Sequence, residues 1–270
     1  MDEPAPAEAK TPWRSWYALT LLFLVYVFNF IDRTILGILS QPIKEELQLS
    51  DTQVGFLGGI AFAIFYTFLG IPIARLADRS VRRNVLAASR TIWSVMTAVC
   101  GFAGSFVHLL LARIGVAVGE AGGRPPSHSM ISDMFPPSSR ATALSIYALG
   151  IPAGSMIGNL AGGWINEAFD WRTAFIVVGA PGVLLALVLV LTVREPERGA
   201  SEAGAQDTGE APPVMDVFRY LWSLKSFRYL SLAGALHAFV GYGVGYWFPA
   251  LFIRSHGLGT AEVGVWLFYL

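Results

Sequence analysis

Runs of about 20 residues carrying almost no charge recur seven times along this chain, and few sequence features restrict a fold so severely. They cover Trp16–Leu39, Val54–Leu76, Val85–Ala103, Val107–Met130, Ala141–Trp164, Ala174–Val193 and Tyr229–Ile253, and an eighth begins near Ala261. A helix needs about 20 apolar residues to cross the roughly 30 Å of membrane hydrocarbon, so each run has the length of one crossing. A β-barrel would show short alternating segments, and a soluble helical protein would carry a charged face on every helix. Neither pattern is present. Only 14% of the 270 residues are charged and 54% are hydrophobic, against about a quarter charged in soluble domains. The expected fold class is an all-α membrane protein.

Charge placement sets the expected orientation. Alternating the loops between two sides gathers Lys10, Arg14, Arg79, Arg82, Arg83, Arg140, Arg194, Arg198, Arg219, Lys225 and Arg228 on one side, and leaves Lys44, Arg172 and Arg254 on the other. Short loops rich in Lys and Arg stay in the cytoplasm, so a multi-pass protein of the bacterial inner membrane with a cytoplasmic N-terminus is expected. Residues 1–15 read as a disordered tail, because their acidic, Ala- and Pro-rich start lacks the basic n-region of a signal peptide. Cys100, the lone cysteine, is expected to pack rather than to form a disulfide or bind metal. The histidines show no metal-ligand spacing, and no cofactor or nucleic-acid partner is expected.

The chain divides at a polar stretch. Residues 16–193 hold six spans, 194–226 read as a flexible cytoplasmic linker, and 227–270 begin a second bundle with span seven and part of span eight. The run from Gly199 to Gly209 is too polar to bury a core. After span one the chain reads Leu49-Ser50-Asp51-Thr52-Gln53-Val54-Gly55, and after span seven Leu258-Gly259-Thr260-Ala261-Glu262-Val263-Gly264. These heptads fall at equivalent points of two hydropathy patterns, as in transporters whose halves are parallel repeats. Carrying the offset through to the last span of the first half would end a complete repeat near residue 402, about 130 residues past Leu270.

Ionisable groups inside spans are costly and mark pathways or buried partners. Span one carries Asn29, Asp32 and Arg33, and span four carries Arg113 and Glu120 on nearly one face, about 10 Å apart along the axis. Each member of the second pair needs a partner elsewhere or a substrate, and Asp32 and Arg33 supply opposite charges. Protonation of Asp32 or Glu120 would then depend on which partner is engaged. Two blander readings compete: a structural pair anchoring the bundle, and an i,i+4 contact between Glu120 and Arg124 that Pro125-Pro126 would disturb. Gly150, Gly154, Gly158 and Gly162 recur every four residues along span five and would let a neighbouring backbone approach closely. On span seven, His237, Tyr242, Tyr246 and Trp247 are candidate cavity-wall residues.

Several of these segments resemble a known family. Ala74-Arg75-Leu76-Ala77-Asp78-Arg79-Ser80-Val81-Arg82-Arg83 resembles the signature loop after span two of major facilitator superfamily transporters, with Ala74 and Val81 in place of two usual glycines. The resemblance implies gating roles for Asp78, Arg79, Arg82 and Arg83, where composition alone gives ordinary positive-inside charge. Arg113-Ile114-Gly115-Val116-Ala117-Val118-Gly119-Glu120-Ala121 resembles the fourth-span motif, and with Asn29-Phe30-Ile31-Asp32-Arg33 it is similar to the Spinster branch. That branch is associated with movement of lysolipids and sphingoid phosphates, which implies coupling and substrate contact at Asp32, Arg113 and Glu120. Gly154 to Gly163 resembles the fifth-span motif of proton antiporters, with Asn159 standing where that motif has proline.

The expected architecture is therefore a major facilitator helical bundle, covered through about seven and a half of twelve helices. The expected function is a monomeric secondary transporter, not an enzyme, that alternates access for a lysolipid-like or other amphipathic organic anion and couples to protons. Small organic anions or drugs are alternative substrates. A membrane sensor or assembly protein that kept the fold and lost transport is an alternative class, which a stop codon after Leu270 would favour. No nucleophile elbow, zinc-protease helix or phosphate loop supports an enzyme.

Overall fold

The computed structural model describes residues 12–201 and 213–269, and among these there are thirteen helices and no strand. In chain order they are α1 (Trp13–Ile38), α2 (Ser40–Glu46), α3 (Asp51–Gly58), α4 (Ile60–Arg79), α5 (Arg82–Cys100), α6 (Phe106–Glu120) and α7 (Arg124–Met134). They continue as α8 (Pro137–Ala148), α9 (Gly150–Ala168), α10 (Trp171–Thr192), α11 (Val214–Ser223), α12 (Lys225–His256) and α13 (Thr260–Tyr269).

Three expected spans are each two helices in line. The break between α3 and α4 falls at Gly59, that between α6 and α7 at residues 121–123, and that between α8 and α9 at Leu149. Counting such pairs as one, six segments among the described residues are long and apolar enough to cross a membrane: Trp13–Ile38, Asp51–Arg79, Phe106–Met134, Pro137–Ala168, Trp171–Thr192 and Lys225–His256. The expected third span, α5, is not among them. Its 19 residues would reach about 28 Å, but Arg82, Arg90, Ser94 and Thr97 are buried along it and lower its hydropathy.

Local signals explain several boundaries. Ser50 and Gln53 close a reciprocal capping box on α3, with Ser50 N donating to Gln53 Oε1 at 2.9 Å and Gln53 N to Ser50 Oγ at 3.2 Å. Asp170 caps α10 by accepting from the Thr173 amide at 2.6 Å. Gly257, at φ +67°, ends α12 in the left-handed conformation that favours glycine.

Two expected boundaries move. Residues 13–15, expected within a disordered tail, already belong to α1, while residues 1–11 lie outside the described residues. The expected linker over 194–226 is ordered at both ends. Residues 194–201 are tied to the bundle: Arg82 Nε donates to Glu195 Oε1 at 2.7 Å, Arg198 Nη2 to the Ala77 and Ser80 carbonyls at 2.7 and 2.9 Å, and the Gly199 amide to Asp133 Oδ1 at 3.1 Å. Val214–Ser223 forms α11. The polar composition of this segment could not reveal these bonds, because its partners lie far away in sequence. Residues 202–212 lie outside the described residues.

Helix α1 is the hub, packing on α8, α9, α10 and α12. Four of the five glycines of α9 face it: Cβ atoms built at Gly158 and Gly162 would come within 3.0 Å of Ile31 Cα and 2.8 Å of Ile38 Cγ2, one at Gly150 within 3.0 Å of Tyr26 Cβ, and one at Gly154 within 2.7 Å of Phe30 Cβ. These glycines let the two backbones meet. Gly154→Val, which would also strike the Val27 carbonyl, is expected to destabilise the bundle by about 1–3 kcal/mol, measured as a lower midpoint in thermal unfolding in detergent. Gly154→Ser should cost less.

The helices that follow α11 extend this arrangement. Helix α13 lies on the opposite side of α9, where Gly163 faces Thr260 and Gly264 faces Asn159. Helix α12 packs against α1 and α2 through its C-terminal half, burying Pro249 and Ala250. Its N-terminal half is exposed through Tyr229, Leu230, Leu236, Phe239 and Val240. The contact with the preceding bundle is thus made at the end near α2 and α3.

Candidate functional site

Three helices converge on a buried polar cluster. α1 supplies Asn29, Asp32 and Arg33; α6 supplies Arg113 and Glu120; α5 adds Arg90, Trp93, Ser94 and Thr97, whose i, i+3, i+4, i+7 spacing places them on one face. Asp32 is 1% exposed, Arg90 0%, Arg113 2% and Glu120 2%. Gly119 on α6 and Gly179 on α10 permit this convergence: Cβ atoms built there would lie 2.6 Å from Trp93 N and 2.7 Å from Ala98 N on α5.

The charges pair across helices. Arg33 Nε forms an ion pair with Glu120 Oε1, and Arg33 Nη1 donates to the Tyr242 hydroxyl at 3.4 Å. Arg90 Nη1 meets Asp32 Oδ2 at 3.4 Å, both fully inside the bundle. Arg113 has no ion pair among the described residues; its guanidinium stacks 5.4 Å from the Phe62 ring centroid, and its Nε and Nη1 find no protein acceptor. Arg90 Nε and Nη2, Ser94 Oγ, Thr97 Oγ1 and Glu120 Oε2 are likewise buried without a protein partner. Three arginines therefore face two carboxylates. Aromatic rings complete the wall, with Arg33 5.1 Å from both Phe62 and Tyr66 and 5.5 Å from Phe30.

The Arg90–Asp32 pair was not anticipated, although an arginine inside the apolar run Val85–Ala103 is the signal that could have raised it. The Glu120–Arg124 contact weighed from sequence does not form. The turn at 121–123 rotates Arg124 away, and its Nε donates to the Tyr26 hydroxyl at 2.8 Å. Asn29 and Glu120 line a small cavity of about 10 Å³ together with Tyr26, Tyr66 and Tyr147.

The candidate cavity wall on α12 is only partly assembled. Tyr242 reaches Arg33. Tyr246 instead wedges into the preceding bundle: its hydroxyl donates to the Val54 carbonyl at 2.9 Å, and its ring covers Gly58. Trp247 packs against Gly55 with Arg254 5.8 Å from its ring. His237 is exposed, about 140° around the helix from Tyr242.

The residues of the loop between α4 and α5 also separate. Arg82 is 1% exposed and forms ion pairs with both Asp133 and Glu195, while its Nη1 also donates to Ser129 Oγ at 2.7 Å. Arg83 holds Glu195 Oε2 through its amide at 2.8 Å and the Val193 carbonyl through Nη1 at 3.0 Å. Asp78 and Arg79 are exposed. Asp133 and Glu195 were not anticipated, since isolated acids near span ends carry no periodic signal. Arg82→Gln is expected to release residues 194–201 and raise their amide hydrogen exchange at least about tenfold, the effect of losing 1.4 kcal/mol or more of local closure.

Residues 22–270 match the family model of the Major Facilitator Superfamily. The chain belongs to this superfamily. An MFS-type efflux pump of Mycolicibacterium smegmatis is 36% identical over 263 residues, covering 96% of this chain and 59% of the pump. Protein spinster homolog 1 of Homo sapiens is 32% identical over 254 residues, covering 91% and 47%. The crystal structure of a bacterial homologue of the human lysosomal transporter Spinster, inward-facing and unoccupied, superposes with TM-score 0.84 at 40% identity, covering 95% of this chain and 59% of that one. The expected superfamily and its Spinster-like branch are borne out, as is a multi-pass helical membrane protein. This major facilitator chain spans about half to three fifths of the relatives it matches.

Proposed function

We propose that this chain forms the substrate-binding first half, and the start of the second half, of a secondary transporter in the bacterial inner membrane. It works by alternating access on an amphipathic organic anion of the lysolipid kind. The observation that carries this reading is Arg113: a guanidinium 2% exposed, without an acceptor for Nε and Nη1, inside a cluster with one more arginine than carboxylate. A buried cation requires a counter-charge, and an anionic headgroup would supply it. The aromatic surroundings formed by Phe30, Phe62, Tyr66 and Tyr242 suit the apolar part of such a substrate.

Proton coupling would act through Asp32 and Glu120. Each is held by an arginine, so protonating one frees that arginine for substrate, and substrate arrival favours release of the proton. Contact between α12 and the preceding bundle that, among the described residues, runs from Tyr242 at the polar cluster toward the α2–α3 end supports an arrangement open toward the N-terminal side, which the positive-inside distribution supports as cytoplasmic. Arg82, with Asp133, Glu195 and Arg198, would brace that side when it closes.

Uptake and efflux of a lysolipid panel by the intact protein in proteoliposomes, with and without a pH gradient, tests this reading. Saturable lysolipid flux that rises at least tenfold under the gradient is expected; gradient-independent flux would remove proton coupling, and no lysolipid flux would remove the substrate class. A second reading, transport of small organic anions, is supported by similarity to a hexuronate transporter of Bacillus subtilis, 28% identical over 92% of this chain and 58% of that protein. Hexuronate in the same assay separates the two.

A further inference from the structure

A cavity of about 660 Å³ lies away from the polar cluster, where the start of α1 meets the end of α10 and residues 193–196. Its lining brings together Arg14, Arg83 and Arg194 with Trp13, Tyr17 and Thr192, and contains one acid, Glu195. That carboxylate is already engaged, Oε1 by Arg82 Nε at 2.7 Å and Oε2 by the Arg83 amide at 2.8 Å. Arg14 and Arg194 are exposed and form no ion pair among the described residues. Tyr17 donates to Thr192 Oγ1 at 2.8 Å, tying the two helices together beneath the arginines. The volume falls within the roughly 300–1,000 Å³ of small-molecule sites, and the net charge of the lining favours an anion.

The surface running away from this cavity is apolar. Leu191 lines it, and Leu187 and Leu184 follow on the same face of α10, all three exposed at helical i, i+4, i+7 spacing counted backwards. On α1, Leu24 is exposed two turns beyond Tyr17. Trp13 and Trp16, both exposed, stand at the end of a membrane-crossing helix, where tryptophan marks the interface between lipid and water. A basic pocket at that level, continued by the exposed leucines of α10 and by Leu24 of α1, matches a phosphodiester headgroup with its acyl chains attached.

We propose that this pocket binds an anionic phospholipid, with Arg14 and Arg194 meeting the headgroup and the α1–α10 leucines flanking the chains. Bound lipid would join α1 to the end of α10 and to residues 193–196 that follow it. Such a site is distinct from the buried cluster and independent of the transported substrate.

Native mass spectrometry of the intact protein tests the proposal, with palmitoyl-oleoyl phosphatidylglycerol and phosphatidylcholine as probes. Phosphatidylglycerol is expected to remain bound at activation energies that strip phosphatidylcholine. Arg14→Gln combined with Arg194→Gln is expected to lower its retention at least fivefold, whereas Arg219→Gln, an exposed change on α11, leaves it unaltered. A double lysine variant at the same two positions keeps the charge, so it should retain at least half of the lipid and show that the fold is intact. Equal retention in the double glutamine variant and the parent, equal retention of the two lipids, or displacement by millimolar inorganic phosphate would each overturn the proposal, the last by showing a free-anion site.

Discussion

Arg90→Met is expected to destabilise the bundle by about 3–5 kcal/mol, because it strands the Asp32 carboxylate in the interior with its nearest counter-charge removed. The two groups are 0% and 1% exposed and 3.4 Å apart, so neither can turn to water for compensation. Asp32→Leu combined with Arg90→Met should recover most of the lost stability, since replacing both members of a buried pair by apolar groups of similar size is often neutral. Unfolding midpoints of the four proteins in one detergent form the double-mutant cycle that measures this coupling. Additive losses in the double variant would show that the pair is not coupled. If Asp32 is also the coupling carboxylate, the stable double variant should fold and fail to respond to a pH gradient, which separates stability from function.

The second large effect concerns α6. Arg113→Ala and Glu120→Gln are each expected to reduce flux about 30-fold or more, corresponding to at least about 2 kcal/mol for the loss of one member of a desolvated charge contact. The two should differ in kind. Arg113 has no protein acceptor at Nε and Nη1, so its removal should weaken substrate binding and cost the fold little. Glu120 neutralises Arg33, so Glu120→Gln should leave that arginine uncompensated and abolish the gradient response while the protein still inserts. Membrane insertion measured alongside flux and apparent affinity distinguishes these outcomes. Normal flux in both variants would rule out the proposed network.

Much of this molecule is legible in one dimension. Hydrophobic run length depends only on the thickness of the bilayer, so Trp16–Leu39 and Tyr229–Ile253 translate directly into α1 and α12. The spacing of Gly150, Gly154, Gly158 and Gly162 repeats with the helix itself, and every one of them meets α1. The break at Leu149, by contrast, falls just before Gly150 and three residues before Pro152, which cannot donate to the Ala148 carbonyl, yet the apolar run Ala141–Trp164 conceals it. Residues 194–201 read as linker because their composition is polar, yet a polar segment orders when fixed donors and acceptors lie within its reach. Glu195 finds Arg82 113 positions away, a distance no local pattern encodes.

The candidate site divides in the same way. Asp32, Arg33, Arg113 and Glu120 stand out by sequence alone because a charge in hydrocarbon is expensive, and membership of the cluster follows from that cost. Their partners do not, because the direction in which an ionisable side chain is compensated depends on how helices rotate and tilt against one another. Only packing paired Arg33 with Glu120, turned Arg124 to Tyr26, drew Arg90 onto Asp32 and left Arg113 without an acceptor. Run length and charge placement along the chain are enough to specify a helical bundle in a membrane and the residues that cannot face lipid. Which charge meets which follows from packing, since a pairing of a few ångströms is set by the relative placement of three helices whose contacts are far apart along the chain.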